Sequence, residues 1–377
     1  MKRVGTIILS LTAAMAIAVL GTSCKNQEEP AKTGSVEEKA AVPEKAVKWK
    51  LAMTWSSTLT PLASPPLKLA KLLDEMSGGQ FTIRVEGAEK HKAALGILDM
   101  VKGGQYDMGH SASYYWKGKD MAMVFFTSVP FGMTASEQYA WFYYGGGMEL
   151  MQEAYEKYNV LSLPGGNTGV QMGGWFRKEI NSLDDLKGLK MRIPGLAGEV
   201  FAKLGVNVTN IPPGELYTSL DRGTIDALEW VGPAMDIKMG FHKIAPYYYT
   251  GWHEPASEMQ FLINKKAYEE LTPEFKAMLD TAIKAVTADM YIENFAGSVD
   301  AWSQMKTEYP NIMVKTFPKP VLKAMKTAAD GLYDSYAEND AMFKKVLDSQ
   351  REYMEKARAW SIISEFNYIE TSKALAE

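Results

Sequence analysis

Arg192 closes a short β-prone run, MRIPG (191–195), immediately before a Pro-Gly turn. A guanidinium at a strand end can hold a carboxylate through two parallel charge-assisted hydrogen bonds, each contributing roughly 1.5–3 kcal/mol. The same residue in the same place also serves as an ordinary surface arginine of a strand. Glu229 stands in an apolar run, ALEWVGP (227–233), beside Trp230. A buried carboxylate needs a partner, a proton or a metal. An oxygen donor such as Gln171, from the glycine-rich GVQMGGWF (169–176), and a further acid such as Glu254 would complete a hard-cation site with it. The alternatives are a Glu229 that reaches solvent from a strand end and a 169–176 segment that is a bulged strand or hinge. Two aromatic clusters, GHSASYYWKGKD (109–120) and PYYYTGWHEP (246–255), read as loops. Their tyrosines are apolar in body and polar at the tip, which suits a small polar ligand or packing between lobes.

Other chemistries find no matching pattern. The sequence has no glycine-rich nucleotide fingerprint opening a helix, no GxxxxGK[ST] and no GxSxG elbow. The four histidines, His91, His110, His242 and His253, show neither HExxH nor paired spacing. A formal net charge of −4 gives no footprint for nucleic acid. One cysteine, Cys24, rules out an intramolecular disulfide and a cysteine-based zinc site. The expectation is a binding protein and not an enzyme.

The N-terminus reads as an export signal. Met1-Lys2-Arg3 is a positive start, Gly5 to Leu20 an apolar run short for a membrane span, and small residues lead to Cys24. A lone cysteine in that position resembles a bacterial lipoprotein box, whose cysteine is lipid-anchored after cleavage. The alternative is cleavage near Ala16 or Ala18, which releases a soluble periplasmic protein. Residues 25–47 are polar, contain proline and lack aromatics, so they suit a tether.

Beyond the tether the elements that must position these residues follow a βαβαβ order twice. Strand patterns at 48–55, 81–87 and 106–112 alternate with helix patterns at 65–79 and 94–104, both stopped by Gly-Gly. A second set has strands at 188–195, 206–212 and 224–231 and helices at 198–205 and 214–223. This order predicts two α/β lobes with mostly parallel sheets. Residues 136–160 read as a helix interrupted at Gly145-Gly146-Gly147, and 159–180 as strand-like. A second crossing is expected at 257–271, then a long helix from Pro273 to about Glu308, a strand at 312–318, helices at 319–336 and 341–362, and a tail. A long late helix between strands can bridge two lobes, which implies a hinge and a cleft.

Several stretches together carry a family resemblance: SASYYWKGKD, VPFGM (129–133), TGVQMGGWFRKEINSLDDLKGLKMRIPG (168–195), IPPGELYTSLDRGTIDALEWVGP (211–233) and FLINKKAYEELTPEFK (261–276). The chain resembles the solute-binding subunits of TRAP (tripartite ATP-independent periplasmic) transporters, within them the 2-oxoacid/lactate-binding branch, over about residues 48–365. The resemblance implies a type II periplasmic-binding-protein-like α/β fold with two lobes, a hinge, a central cleft and long bridging helices. It implies that Arg192 binds the ligand carboxylate. Gln171, Glu229 and the backbone carbonyl of Trp230, with Glu254 as a further acid, would hold a sodium or calcium ion that bridges to the ligand. Tyr114 and Tyr115 would line the pocket. The expected ligand is a small 2-oxo or 2-hydroxy monocarboxylate such as pyruvate, 2-oxobutyrate or lactate. The expected partners are the membrane permease subunits; the 341–362 helix either packs against its own body or docks a second copy as a homodimer, and the sequence does not decide between them.

The resulting division is a signal at 1–23, a tether at 24–47, lobe I at 48–169 plus 258–297, lobe II at 170–257 plus 298–340, and a C-terminal helix and tail at 341–377. Two other functions stay open at this stage. One is a cation-assisted surface enzyme acting on small organic acids, since a cation can polarise a carbonyl. The other is a receptor that reports ligand to a sensor kinase.

Overall fold

The structure, a computed structural model, describes residues 46–376. The export signal, Cys24 and the tether up to residue 45 lie outside the described residues. Two sheets organise the chain. The first contains β1 (Val47–Met53), β2 (Phe81–Glu86), β3 (Met108–Ser111) and β4 (Val160–Asn167). The second contains β5 (Gly174–Phe176), β6 (Lys190–Arg192), β7 (Asn207–Thr209), β8 (Ala227–Leu228) and β9 (Tyr247–Tyr249). The chain then returns to the first sheet with β10 (Glu258–Asn264) and ends its strands in the second with β11 (Met313–Lys315). The strand orders are β2-β1-β3-β10-β4 and β11-β9-β5-β8-β6-β7.

Each sheet is parallel except where a crossing strand enters it. β10 runs antiparallel to β3 and β4, and β5 runs antiparallel to β8 and β9. The crossing strands arrive from the opposite lobe, so they need no helical connection and can enter in the reverse sense. In the first sheet, β1 lies between two neighbours and buries Trp49, Leu51, Ala52 and Met53. Its sequence accordingly turns from alternating to continuously apolar toward the C-terminal end.

The long helix runs over 36 residues, Pro273–Glu308. Thr272 caps it, its hydroxyl accepting from the Phe275 amide at 3.3 Å, and Pro273 occupies the first turn. It packs on Ser64–Met76 and β4 from the first half and on Pro233–Met239 from the second. This one helix therefore spans both halves, the bridging role expected of it. No helix among the described residues is long and apolar enough to cross a membrane.

The structure corrects three local readings. The 246–255 cluster is not all loop: Tyr247, Tyr248 and Tyr249 form β9, paired with both β5 and β11. The 94–104 helix is confined to Ile97–Lys102. The segment after residue 362, read as a tail, continues as one π turn and the helix Asn367–Ala374.

One histidine in this frame has a testable state. His110 is fully buried on β3, where its Nδ1 accepts from the Trp55 indole at 2.8 Å and its Nε2 donates to the Gly165 carbonyl at 2.9 Å. Burial pushes its pKa down to about 4. An unfolded chain takes up the proton near pH 6.5, before the folded one does. This residue therefore lowers stability as pH falls from about 6.5 towards 4 and has no effect above that window. An NMR titration of the imidazole is expected to show a neutral ring at pH 5.5. A midpoint at the ordinary value would contradict this.

Candidate functional site

The chain passes between the sheets at 168–173 and again at 250–257, and these two crossings lie against each other. The Thr168 amide donates to the Ser257 carbonyl at 3.1 Å, Gln171 to Glu254 at 2.9 Å and Gly173 to Tyr249 at 2.7 Å. Gly251 permits the approach: a Cβ there would sit 1.9 Å from the Gln171 carbonyl oxygen. The pairing brings Gln171 beside Glu254, two residues far apart in sequence. The Gln171 amide donates to the Thr168 hydroxyl at 3.0 Å, which fixes its orientation.

The other half of the site comes from the C-terminal ends of β6 and β8, where ligands of open α/β sheets bind. Arg192 is the last residue of β6 and is 1% exposed. Its Nη1 donates to the Glu229 carbonyl at 2.6 Å and contacts Glu229 Oε2 at 3.3 Å. The Trp230 ring lies 5.5 Å from the guanidinium carbon. Glu229 stands just past β8, tied down by its amide to the Arg192 carbonyl at 3.0 Å.

The turn after Trp230 is held by Asp236, a residue the sequence did not mark. Its carboxylate accepts from the Val231 and Gly232 amides at 3.2 and 3.0 Å, the Trp175 indole at 2.9 Å and the Tyr248 hydroxyl at 2.8 Å. Burial raises its pKa to about 6, against the four donors.

Four of the expected residues thus meet in one buried place, and Tyr114 and Tyr115 close a wall of it. The two rings stack at 4.8 Å. Tyr114 reaches the second half of the protein at Gly195, where a Cβ would lie 2.6 Å from its ring and where φ is +64°. The sequence reading missed His253. It is fully buried, and its Nε2 lies 3.4 Å from Glu229 Oε1. Ligand atoms of Glu229, His253 and Glu254 all fall within 4.8 Å of one another. The available signal was only that a histidine directly precedes Glu254.

The electrostatics are those of a crowded, dry acidic site. Burial pushes the Glu229 carboxyl well above its ordinary range, with Arg192 opposing. Burial and the charge of Glu229 raise Glu254 to about 7. Burial holds His253 down to about 4, hence neutral. Among the described residues, Gln171 Oε1, Glu229 Oε1, Glu254 Oε2 and Arg192 Nη2 are buried without a hydrogen-bond partner. Three oxygens and one guanidinium nitrogen left this way fit a hard cation and an anion respectively. The donor set therefore suits a sodium or calcium ion.

Comparison with known proteins agrees with this chemistry. The family model described as bacterial extracellular solute-binding protein, family 7, matches residues 51–340. A monocarboxylate 2-oxoacid-binding periplasmic protein of Nostoc sp. is 39% identical over 95% of this chain and 96% of its own. A TRAP periplasmic solute-binding protein of Colwellia psychrerythraea, solved with calcium and pyruvate, superposes with a TM-score of 0.86 at 56% identity, covering 87% of this chain and 100% of that one. Its counterpart from Pseudoalteromonas atlantica, solved with sodium and pyruvate, gives 0.85 at 57%, covering 86% and 99%.

Asp236 offers a direct test of how the site is held. Replacing it with alanine would leave four buried donors without an acceptor. Asp236→Ala is expected to cost about 3 kcal/mol or more in urea unfolding. A loss below about 1 kcal/mol would show that the turn is not held in this way.

Proposed function

Because the chain belongs to the bacterial extracellular solute-binding proteins of family 7 and is a TRAP-type solute-binding protein, we propose that it captures a small 2-oxo or 2-hydroxy monocarboxylate of the pyruvate class together with a sodium or calcium ion, and delivers the acid to a membrane permease. The observation that carries this reading is the complementary set of unpartnered atoms. Arg192 has a nitrogen free for a carboxylate, while Gln171, Glu229 and Glu254 have oxygens free for a cation.

In this reading Arg192 binds the ligand carboxylate, and Trp230 packs on the guanidinium and keeps it dry. Gln171, Glu229, Glu254 and the Trp230 backbone hold the cation. Tyr114 and Tyr115 bound the space left for the ligand's short chain. The bound ion supplies positive charge that offsets two buried carboxyl groups and a coordination site for the ligand's oxygens. His253, neutral and 3.4 Å from Glu229 Oε1, adds no charge of its own there. The acid leaves unchanged, because both carboxyl groups are committed to the ion and none is positioned as an acid–base pair. Recovery of altered ligand after incubation would favour a cation-assisted enzyme instead. A lipid anchor at Cys24 would keep the protein at the membrane where the permease lies.

A screen of thermal unfolding against 2-oxo acids, 2-hydroxy acids, dicarboxylates and sugar acids tests the ligand class. Pyruvate at about a hundred times its Kd is expected to add roughly 2.7 kcal/mol, and Arg192→Lys to abolish that shift. A shift with sugar acids or dicarboxylates alone would overturn the assignment.

A homodimer through the C-terminal helix belongs to the same reading. Ala341–Ser361 packs on the body through Phe343, Val346 and Leu347. Trp360 near its end and Ile363, Phe366 and Ile369 beyond it are each more than half exposed. So much apolar surface on one arm fits contact with a second copy. Sedimentation of residues 46–377 is expected to give twice the chain mass, and a chain ending at Ser361 the single mass. A single mass for both would rule the dimer out.

A further inference from the structure

Glu199 joins three segments that lie far apart in the sequence. It lies on the helix Gly195–Lys203, which begins where Gly195 meets Tyr114 and directly follows the Arg192 strand. Its Oε1 is 2.5 Å from the ammonium of Lys117, on the segment that follows Tyr114, Tyr115 and Trp116 in the first half. Its Oε2 accepts from the Tyr336 hydroxyl at 2.7 Å, on the helix Lys319–Asn339. Both oxygens are thus engaged, one from across the cleft and one from the helix behind.

We propose that Glu199 and Lys117 form a latch across the cleft, with Tyr336 as its fixed anchor, which sets how long the captured ligand stays bound. The proposal rests on the ligand reading above. Its geometry couples the two events. Tyr114 lines the site and Lys117 caps the same 3₁₀ segment three residues later, while Arg192 lines the site and Glu199 sits about one turn into the helix that follows it. Closing the walls on a ligand and bringing the ion pair together are therefore one movement. Neither Lys117 nor Glu199 touches Arg192, Gln171, Glu229 or Glu254, so the latch acts on closure and not on the ligand.

The pair is partly shielded, with side chains 31% and 27% exposed. It is consequently weaker than a buried pair and stronger than one in open solvent. Burial works against the charge of Glu199, yet the Lys117 and Tyr336 hydrogen bonds hold its carboxyl below the ordinary range. A charged carboxylate with two committed donors is what a latch requires. The Tyr336 hydroxyl orients the Glu199 carboxylate toward Lys117. The ion pair alone is broken and remade.

The test uses Glu199→Gln, Lys117→Met, their double variant and Tyr336→Phe. Two readouts are taken: stopped-flow release of pyruvate, and the distribution of distances between spin labels placed on the two halves with no ligand present. Each single charge variant is expected to speed release at least about fivefold with little change in the association rate. The double variant should match the singles, the signature of one shared interaction. Lys117→Arg should restore slow release. Without ligand, the charge variants should shift the distance distribution toward the longer, open population. Unchanged release together with an unchanged distribution would overturn the latch, as would additive effects in the double variant. If pyruvate fails to bind the unaltered protein, the ligand reading falls, and the label distances still decide the latch.

Discussion

Two carboxyl groups and one guanidinium share a place from which water is almost wholly excluded. Glu229 and Glu254 lie buried together, and Arg192 contacts Glu229 beside them. Burying such a set costs free energy unless each charge finds a partner or a proton. Much of the surrounding construction answers this constraint. Asp236 fixes the turn that aims Glu229, the crossings fix Gln171 against Glu254, and His253 stays neutral so as to add no further charge. The raised Glu254 and Glu229 carboxyls measure what remains unbalanced. One added positive ion and one added carboxylate would relieve it, since the ion answers the acids and the carboxylate answers the free side of Arg192.

The fold makes this site by crossing twice. The segments 168–173 and 250–257 hydrogen-bond to each other where the chain passes between the sheets, and they carry Gln171 and Glu254 side by side. Arg192 and Tyr114 then approach from opposite sides, one at the end of β6 and one at the end of β3. In the proposed reading, ligand contact and lobe contact are the same geometric event. The long helix Pro273–Glu308 packs on both halves.

Much of this was legible in the sequence, for identifiable reasons. Two βαβαβ patterns, the helices of the first stopped by Gly-Gly, pointed to two α/β sheets, because helix ends and parallel strands leave local signals. From their surroundings alone Arg192 and Glu229 read equally as a surface arginine and a solvent-reaching strand-end acid, and the family resemblance is what pointed both toward the site; both are buried, at 1% and 0% exposure. The pairing of Gln171 with Glu254 left no local trace, since it depends on two crossings meeting in space. Asp236 escaped notice for a similar reason: two of its four donors, the Trp175 indole and the Tyr248 hydroxyl, come from other parts of the chain. β9 was missed because Tyr247-Tyr248-Tyr249 is buried on both faces and does not alternate, although tyrosine favours strands. His253 was passed over because a lone histidine has no spacing to read.

The central claim is that cation and acid occupy one site and neutralise it together. The direct measurement is the Kd of pyruvate by calorimetry across a series of free calcium and sodium concentrations, for the unaltered protein and for Glu229→Gln. Linkage requires that an ion held with the ligand tighten its binding, and the ligand the ion's, by the same factor. The account predicts that pyruvate affinity rises steeply with the cation in the unaltered protein and loses that dependence in Glu229→Gln. A pyruvate affinity independent of cation in the unaltered protein would contradict it.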